Sequence, residues 1–329
     1  MTALLPSGPG PVHPERSRGT IRGPSTSLGV SGFGLLASAA WLFLLSGCLH
    51  FHNGPMPGEP KDATYLELEG TRVRYVDVGE GPAVVLLHGF ASSIENWLTV
   101  MPKLVKDHRI IAIDMRGFGW TDRPVADYSP AAQAKLLKAV LDERKVGKIA
   151  LVGHSYGSSV ALAFALQYPE QVERIALYDA WVYDSQLPSM FHMARAKGIG
   201  EVLFGLFYSE RYEERLTMGF YDPDVVTEQL SEEVARAFER PGTRFGALEA
   251  VRGMRFDEME ARYKTITVPT LLLWGREDRV TPVSVGEKLV RQLPHAELKV
   301  YPWCGHFPMI EAASESTRDL SAFLAGGMP

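Results

Sequence analysis

The sequence predicts an α/β domain: a mostly parallel central sheet flanked by helices, with a helical cap inserted in its second half. Three observations predict it. Short, continuously apolar runs recur along the chain, the pattern of parallel strands covered on both faces. Helical segments with apolar stripes lie between these runs, which is the alternation of a parallel α/β sheet. One stretch of about eighty residues, from Trp181 to about Tyr263, has no strand-like run and is too long for a plain loop.

The first fifty residues differ from the rest. Residues 1–24 are rich in Pro, Gly and Ser and carry Arg16, Arg18 and Arg22 against Glu15. An uncharged apolar run follows, Phe33 to Gly47, and a basic region before such a run is the pattern of a secretory signal. The run ends in Leu45-Ser46-Gly47-Cys48, which resembles the lipobox of bacterial lipoproteins. That resemblance implies a leader over 1–47 and a lipidated Cys48 as mature N-terminus. It further implies a protein held at the membrane of the cell envelope by its lipid. Leu49 is not the aspartate associated with inner-membrane retention, which points to the outer membrane in a Gram-negative organism. Two alternatives stay open: an uncleaved anchor over 30–49, just long enough to span a bilayer, and an apolar extension packed on the protein. Residues 48–62, with Pro55, Pro57, Gly58 and Pro60, read as a tether.

The domain then divides into a core over 63–180 and 265–329 and a cap over 181–264. Tyr65–Leu68 and Val73–Val78 alternate apolar and polar around Glu69-Gly70, a hairpin with one solvated face. Ala83–Leu87, Ile110–Ile113, Ile149–Val152, Ile175–Leu177 and Thr270–Trp274 are the buried strands, and Leu298–Tyr301 is the last. Ser129-Pro130 opens a helix whose Leu136, Leu137, Val140 and Leu141 share one face. Gly157–Leu166 is apolar all round, as in a helix buried against the sheet. Val285, Leu289 and Leu293 stripe another. In the cap, Asp222-Pro223 is expected to start a helix through Val226, Leu230, Val234 and Phe238, and Pro241-Gly242 to break it.

Composition narrows the function. The chain has 329 residues, 34 basic against 39 acidic, and two cysteines. A formal charge of −5 gives no footprint for nucleic acid. Two cysteines cannot build a disulfide framework, and no Cys/His/Asp cluster has metal-ligand spacing. No cofactor is expected, and the composition is silent on oligomeric state.

The chemistry concentrates in Gly153-His-Ser-Tyr-Gly157. A G-x-S-x-G directly after a buried strand and before a buried helix is a nucleophile elbow, a strained turn that lifts the serine oxygen clear of the sheet. With His88-Gly-Phe90, Asp114-Met-Arg-Gly-Phe-Gly119, Trp274-Gly-Arg-Glu-Asp278 and Gly305-His306 followed by Pro308 and Glu311, it makes the chain resemble an α/β-hydrolase of the capped, esterase-like kind over residues 64–324. The resemblance implies Ser155 as nucleophile, His306 as base and Asp278 as the acid that orients it. Glu277 and Asp179 remain competitors for the acid. It also implies that the amides of Phe90 and Tyr156 form the oxyanion hole. His88 is expected to order that loop, His154 to pack behind the elbow, and the Asp114–Asp122 loop to be architectural. A serine at 155 disfavours the aspartate-nucleophile dehalogenases and epoxide hydrolases of the fold.

The expected activity is hydrolysis of a small-molecule carboxylic ester through an acyl-enzyme, without cofactor. The alternatives with the same triad are C–C bond hydrolysis of ring-cleavage products, cofactor-free peroxidation and peptide-bond cleavage. A membrane-anchored binding protein on the same scaffold is the non-catalytic alternative. Trp181, Phe191, Met193, Phe204 and Phe207 are the cap residues expected to shape an acyl pocket.

Overall fold

The computed structural model describes residues 50–208 and 212–327; the leader and Cys48 lie outside them. Eight strands form one sheet: β1 (Thr64–Leu68), β2 (Thr71–Val78), β3 (Ala83–Leu87), β4 (Arg109–Ile113), β5 (Ile149–His154), β6 (Val172–Tyr178), β7 (Thr270–Gly275) and β8 (Ala296–Tyr301). Their order is β1-β2-β4-β3-β5-β6-β7-β8. β2 pairs antiparallel with both neighbours, and β4 through β8 run parallel. Glu69 and Gly70, both at positive φ (50° and 69°), make the tight β1–β2 turn, the geometry that matches the twist of a two-residue hairpin.

Along β3 the side chains alternate between two cores. Val85 and Leu87 pack with α2 (Pro130–Glu143) and α3 (Tyr156–Gln167) through Leu136, Leu137, Val140, Val160 and Phe164. Val84 and Leu86 pack on the opposite face with Leu104 of α1 (Met101–Leu104) and with Leu320 and Phe323. The side chain of Ser129 accepts the Ala132 amide and Pro130 occupies the first turn, so α2 starts where the sequence signal places it.

Between β6 and β7 the described residues are helical: α4 (Ser189–Ala194), α5 (Ile199–Phe207), α6 (Tyr212–Met218), α7 (Glu228–Glu239), α8 (Thr243–Gly253) and α9 (Asp257–Glu260). After β7 come α10 (Val283–Gln292), α11 (Pro308–Glu311) and α12 (Ala313–Leu324). Two expectations shift. Asp222-Pro223 caps only a 3₁₀ turn, Pro223–Val225, and the helix proper starts at Glu228 under a Thr227 cap. Val226, outside helical geometry at ψ 89°, separates the two. Pro241-Gly242 does end α7, with Gly242 at φ 76°.

Residues 50–62 depart from the free tether expected of them. The Phe51 ring lies 3.7 Å from that of Phe245, His52 pairs with Arg123 in an isolated bridge, and the Gly54 amide donates to Asp122 at 2.8 Å. Glu59 then forms an ion pair with Arg72. The proline and glycine content limits secondary structure here but does not prevent docking. No helix among the described residues is long and apolar enough to cross a membrane.

Candidate active site

The site lies at the carboxyl ends of the parallel strands, where α/β sheets gather their functional loops. Ser155 follows β5 at φ 50°, ψ −118°, a conformation a serine adopts only when its surroundings impose it. The flanking glycines show what imposes it. A Cβ on Gly157 would lie 2.3 Å from the Leu87 carbonyl oxygen, and one on Gly153 would lie 2.7 Å from that of Gly157. The Ser155 amide donates to the Tyr178 carbonyl at 2.9 Å, and its own carbonyl accepts from Trp181 at 3.1 Å. The elbow is therefore fixed by backbone on every side.

His306 and Asp278 meet as the sequence expects. His306 Nδ1 is 2.8 Å from Asp278 Oδ2, and Thr281 Oγ1 donates to the same oxygen at 2.6 Å. Asp278 Oδ1 accepts the amides of Val280 and Thr281. A carboxylate acceptor puts the imidazole proton on Nδ1 and leaves Nε2 free as the basic nitrogen. Glu277 does not compete: its Oε2 accepts the Cys304 amide at 3.0 Å and holds the histidine loop from outside. Among the described residues Ser155 Oγ makes no hydrogen bond to His306; such bonds often close only around substrate.

The two amides expected of the oxyanion hole have no acceptor among the described residues: neither Phe90 nor Tyr156 donates its backbone N–H. Gly89 sits against the elbow, since a Cβ there would lie 2.9 Å from His154 Nδ1 and 3.3 Å from Ser155 Cβ. His88 explains the orientation. Its Nε2 accepts the Met115 amide at 3.0 Å, so Nδ1 carries the proton and donates to the Gly89 carbonyl at 2.7 Å. A trans peptide turns the next N–H opposite to that carbonyl, so the His88 bond aims the Phe90 amide.

Comparison with known proteins agrees with this geometry. A family model described as alpha/beta hydrolase fold matches residues 82–313. The chain belongs to that family. It is 30% identical over 282 residues to a 2-hydroxy-6-oxo-2,4-heptadienoate hydrolase of Pseudomonas putida, covering 78% of this chain and 94% of that one. It is 33% identical over 267 residues to a 2-hydroxy-6-oxononadienedioate/2-hydroxy-6-oxononatrienedioate hydrolase of Burkholderia vietnamiensis, covering 77% and 91%. Among solved structures it superposes on a meta-cleavage product hydrolase with a TM-score of 0.70 at 29% identity, covering 80% of this chain and 98% of that one.

In this alpha/beta hydrolase the buried carboxyls diverge sharply. Burial pushes Asp278 up, but the imidazole of His306 and the hydroxyl and amide of Thr281 outweigh it and hold the carboxyl at about 2. Asp179, at φ 42° after β6, is wholly buried; desolvation and then the neighbouring Asp278 charge hold it well above the carboxylate range. Its Oδ1 accepts the Gly275 amide at 2.9 Å. Asp179 is therefore much harder to ionise than Asp278, and it is Asp278, not Asp179, that bonds His306 Nδ1. Donor atoms of Asp179, Asp278 and His306 lie within 4.8 Å of one another, the spacing of a cation site, yet His306 Nδ1 and Asp278 Oδ2 already share a proton.

His154 also has a defined role. Its Nε2 donates to the His306 carbonyl at 2.8 Å, and Asn96 Nδ2 approaches its Nδ1 at 3.3 Å. Burial, then the charge of His306, keeps the ring neutral. The imidazole beside the nucleophile is thus a strut for the base's loop. Cys304, two residues before His306, is buried, and burial pushes its thiol up, away from the thiolate form. The Asp114–Asp122 loop is architectural as expected: Asp114 accepts the Ile94 and Trp120 amides and pairs with Arg74.

The cap closes over Ser155, which is 3% exposed. Phe90 is ringed by Phe118, Tyr156, Trp181, Phe191 and Tyr208, with centroids 5.3–6.5 Å away. Phe204 joins through Phe191 at 6.0 Å. Trp181, Phe191 and Phe204, expected to shape an acyl pocket, are buried in this packed aromatic cluster. Met193 and Phe207 are not: they are 52% and 44% exposed. Asn96, Thr281 and the supporting role of Glu311, which accepts the Gly305 and Tyr221 amides, were missed as functional residues. Thr281-Pro282 three residues past Asp278 was the available signal for Thr281.

Proposed function

We propose that this hydrolase uses Ser155, His306 and Asp278 to transfer an acyl group to water, and that carbon is its leaving group. The substrate class is a 6-oxo-dienoate of the kind formed when an aromatic ring is opened. His306 Nε2 takes the Ser155 proton as the oxygen adds to the ketone carbon. The amides of Phe90 and Tyr156 hold the oxyanion. For the C–C bond to break, the 2-hydroxy-dienoate first shifts to its 2-keto form, its hydroxyl proton moving to the carbon beside the 6-ketone; the bond to that carbon then breaks, its electron pair leaves as the dienolate of the 2-ketone, and the dienolate is reprotonated. Water activated by His306 releases the acid from Ser155.

One observation carries the acyl-transfer part: two unpartnered amides, aimed by His88 and the elbow, beside a serine and a histidine–aspartate pair. Preference for carbon over an ester oxygen is supported by the relatives' activities, and it reverses the order expected from sequence alone. A second reading, ester hydrolysis, rests on the same serine, histidine–aspartate pair and amides, which serve an ester carbonyl as well as a ketone.

The test is a substrate panel run beside fluorophosphonate labelling. A 6-oxo-dienoate should lose its long-wavelength absorbance faster, by kcat/KM, than aryl esters of any chain length are cleaved. Faster ester turnover would replace the first reading by the second. Absence of labelling would sink both. We also propose that Cys48 is lipidated and anchors the mature chain in the cell envelope, which intact mass of the membrane-extracted protein tests.

A further inference from the structure

Helix α5 is apolar nearly all round: Ile199-Gly-Glu-Val-Leu-Phe-Gly-Leu-Phe207. Gly200 and Phe204, four apart, face the interior. Ile199, Val202, Leu203 and Leu206 fall on the other side at the i, i+3, i+4, i+7 spacing of one face. Ile199 is 52% and Leu206 42% exposed, Val202 is half-buried, and Leu203, also half-buried, packs in part against the core. The helix's one acid, Glu201, is turned aside to Arg252 at 2.8 Å. Met193 on the preceding helix is 52% exposed. Single exposed apolar residues need no explanation, but Ile199, Leu206 and Met193 grouped on two successive helices do.

The start of the described chain says what covers it. Phe51 packs on Phe245 at 3.7 Å, and Arg244, the next residue back, donates to the Gly205 carbonyl of α5 at 2.7 Å. His50 lines a cleft of about 270 Å³ together with Phe238, Arg240 and Phe245 at the α7–α8 corner. Cys48 is two residues before His50, a span of at most about 7 Å. A lipid on Cys48 therefore enters the bilayer beside the corner that is bonded to α5.

We propose that the outward face of α5 contacts the lipid bilayer, and that docking of residues 50–54 turns the cap side of the molecule toward the membrane. The proposal rests on the reading of Cys48 as lipidated. The lipid alone would leave the enzyme free to swing; the Phe51–Phe245 and His52–Arg123 contacts fix its orientation. Burying the exposed aliphatic side chains of α5 in the interface adds apolar contact to the hold of the lipid's own acyl chains.

The test uses the full chain in vesicles of phosphatidylethanolamine and phosphatidylglycerol. Leu206→Cys carries an environment-sensitive fluorophore, and Glu170→Cys, on the turn that leads into β6 at the opposite end of the sheet, carries the control. The Leu206 probe should be quenched by lipids spin-labelled in the acyl chain and shielded from aqueous iodide by about tenfold relative to the control. Unchanged turnover of a soluble substrate checks that both variants fold. Vesicle-bound, lipidated protein whose Leu206 probe is as open to iodide as the control overturns the surface and leaves the anchor and the hydrolase readings standing. A probe shielded from iodide but untouched by the spin-labelled lipid overturns it in favour of a second copy or the leader as the cover. Protein that does not float, with an unmodified Cys48 by intact mass, overturns anchor and surface together.

Discussion

The catalytic loops and the cap are built on different principles. At the loops, backbone is locked against backbone: Gly153 and Gly157 leave no room for a methyl group, Gly275 packs against the Gly305 carbonyl, and Ser155, Ala91, Asp179 and Trp303 all hold positive φ. Strain of this kind persists only where surrounding structure over-determines it. In the cap, aromatic side chains pack on one another, and α5 leaves an apolar face uncovered. Substitutions at the loops should therefore abolish chemistry, whereas those in the cap should redistribute specificity.

The largest effect tests the loops. Ser155→Ala should lower kcat by about three to six orders of magnitude and abolish fluorophosphonate labelling, because the nucleophile has no substitute. Asp278→Asn should follow at about a thousandfold or more, since the amide would hold the wrong imidazole tautomer. A loss under tenfold for Asp278→Asn, measured by single-turnover kinetics, would mean that another acid orients His306.

Asp179 provides the sharper contrast, because it shares the site but not the role. Burial and the neighbouring Asp278 charge raise its folded pKa well above its unfolded value. Its contribution to stability is present below the unfolded value near 3.8 and is lost as pH rises toward the folded one. Asp278 has the opposite sign: lowered to about 2, it stabilises above the usual carboxylate range and loses that contribution as pH falls through 2. Asp179→Asn mimics the neutral acid and keeps an oxygen for the Gly275 amide. It should retain kcat within about threefold and should raise Tm by more at pH 7 than at pH 4. Asp179→Ala leaves that amide unpaired and should lower both kcat and stability, the latter by about 1–3 kcal/mol. Equal Tm changes for the Asn variant at the two pH values would mean that Asp179 is ionised in the native protein.

Most of this architecture was legible because it is local. The elbow, the strand runs and the Ser129-Pro130 cap are written in neighbouring residues, and period and turn chemistry read them directly. Asp278 was legible by its place after a buried strand. The acid pair was not: Asp179 and Asp278 lie about a hundred residues apart, and the non-local bond of His306 with Asp278 separates them. The outward turn of Met193 and Phe207 was equally hidden, since an apolar residue on a helix looks the same whether it faces a pocket or solvent. Residues 50–62 misled for a related reason. Proline and glycine announce a loop, but docking came from Phe51 and Glu59, whose partners Phe245 and Arg72 lie elsewhere in the chain.

The smallest effect separates the cap from the chemistry. Phe191 touches Phe90 at 5.5 Å, stacks on Trp181 at 5.8 Å and is 8% exposed, so it lines the apolar sheath without reaching Ser155. Phe191→Ala should lower kcat/KM for a long-chain or aryl-bearing substrate by about ten- to a hundredfold, the value of one lost apolar contact. The same variant should change kcat/KM for the smallest acyl group by less than about threefold, because the oxyanion amides and the His306–Asp278 pair are untouched. Truncation also removes core contacts, so Tm will fall, and the ratio between the two substrates is the quantity to read. A uniform fall for both substrates would mean that the sheath holds the elbow in place instead of selecting the acyl group, and that cap and loops are one unit.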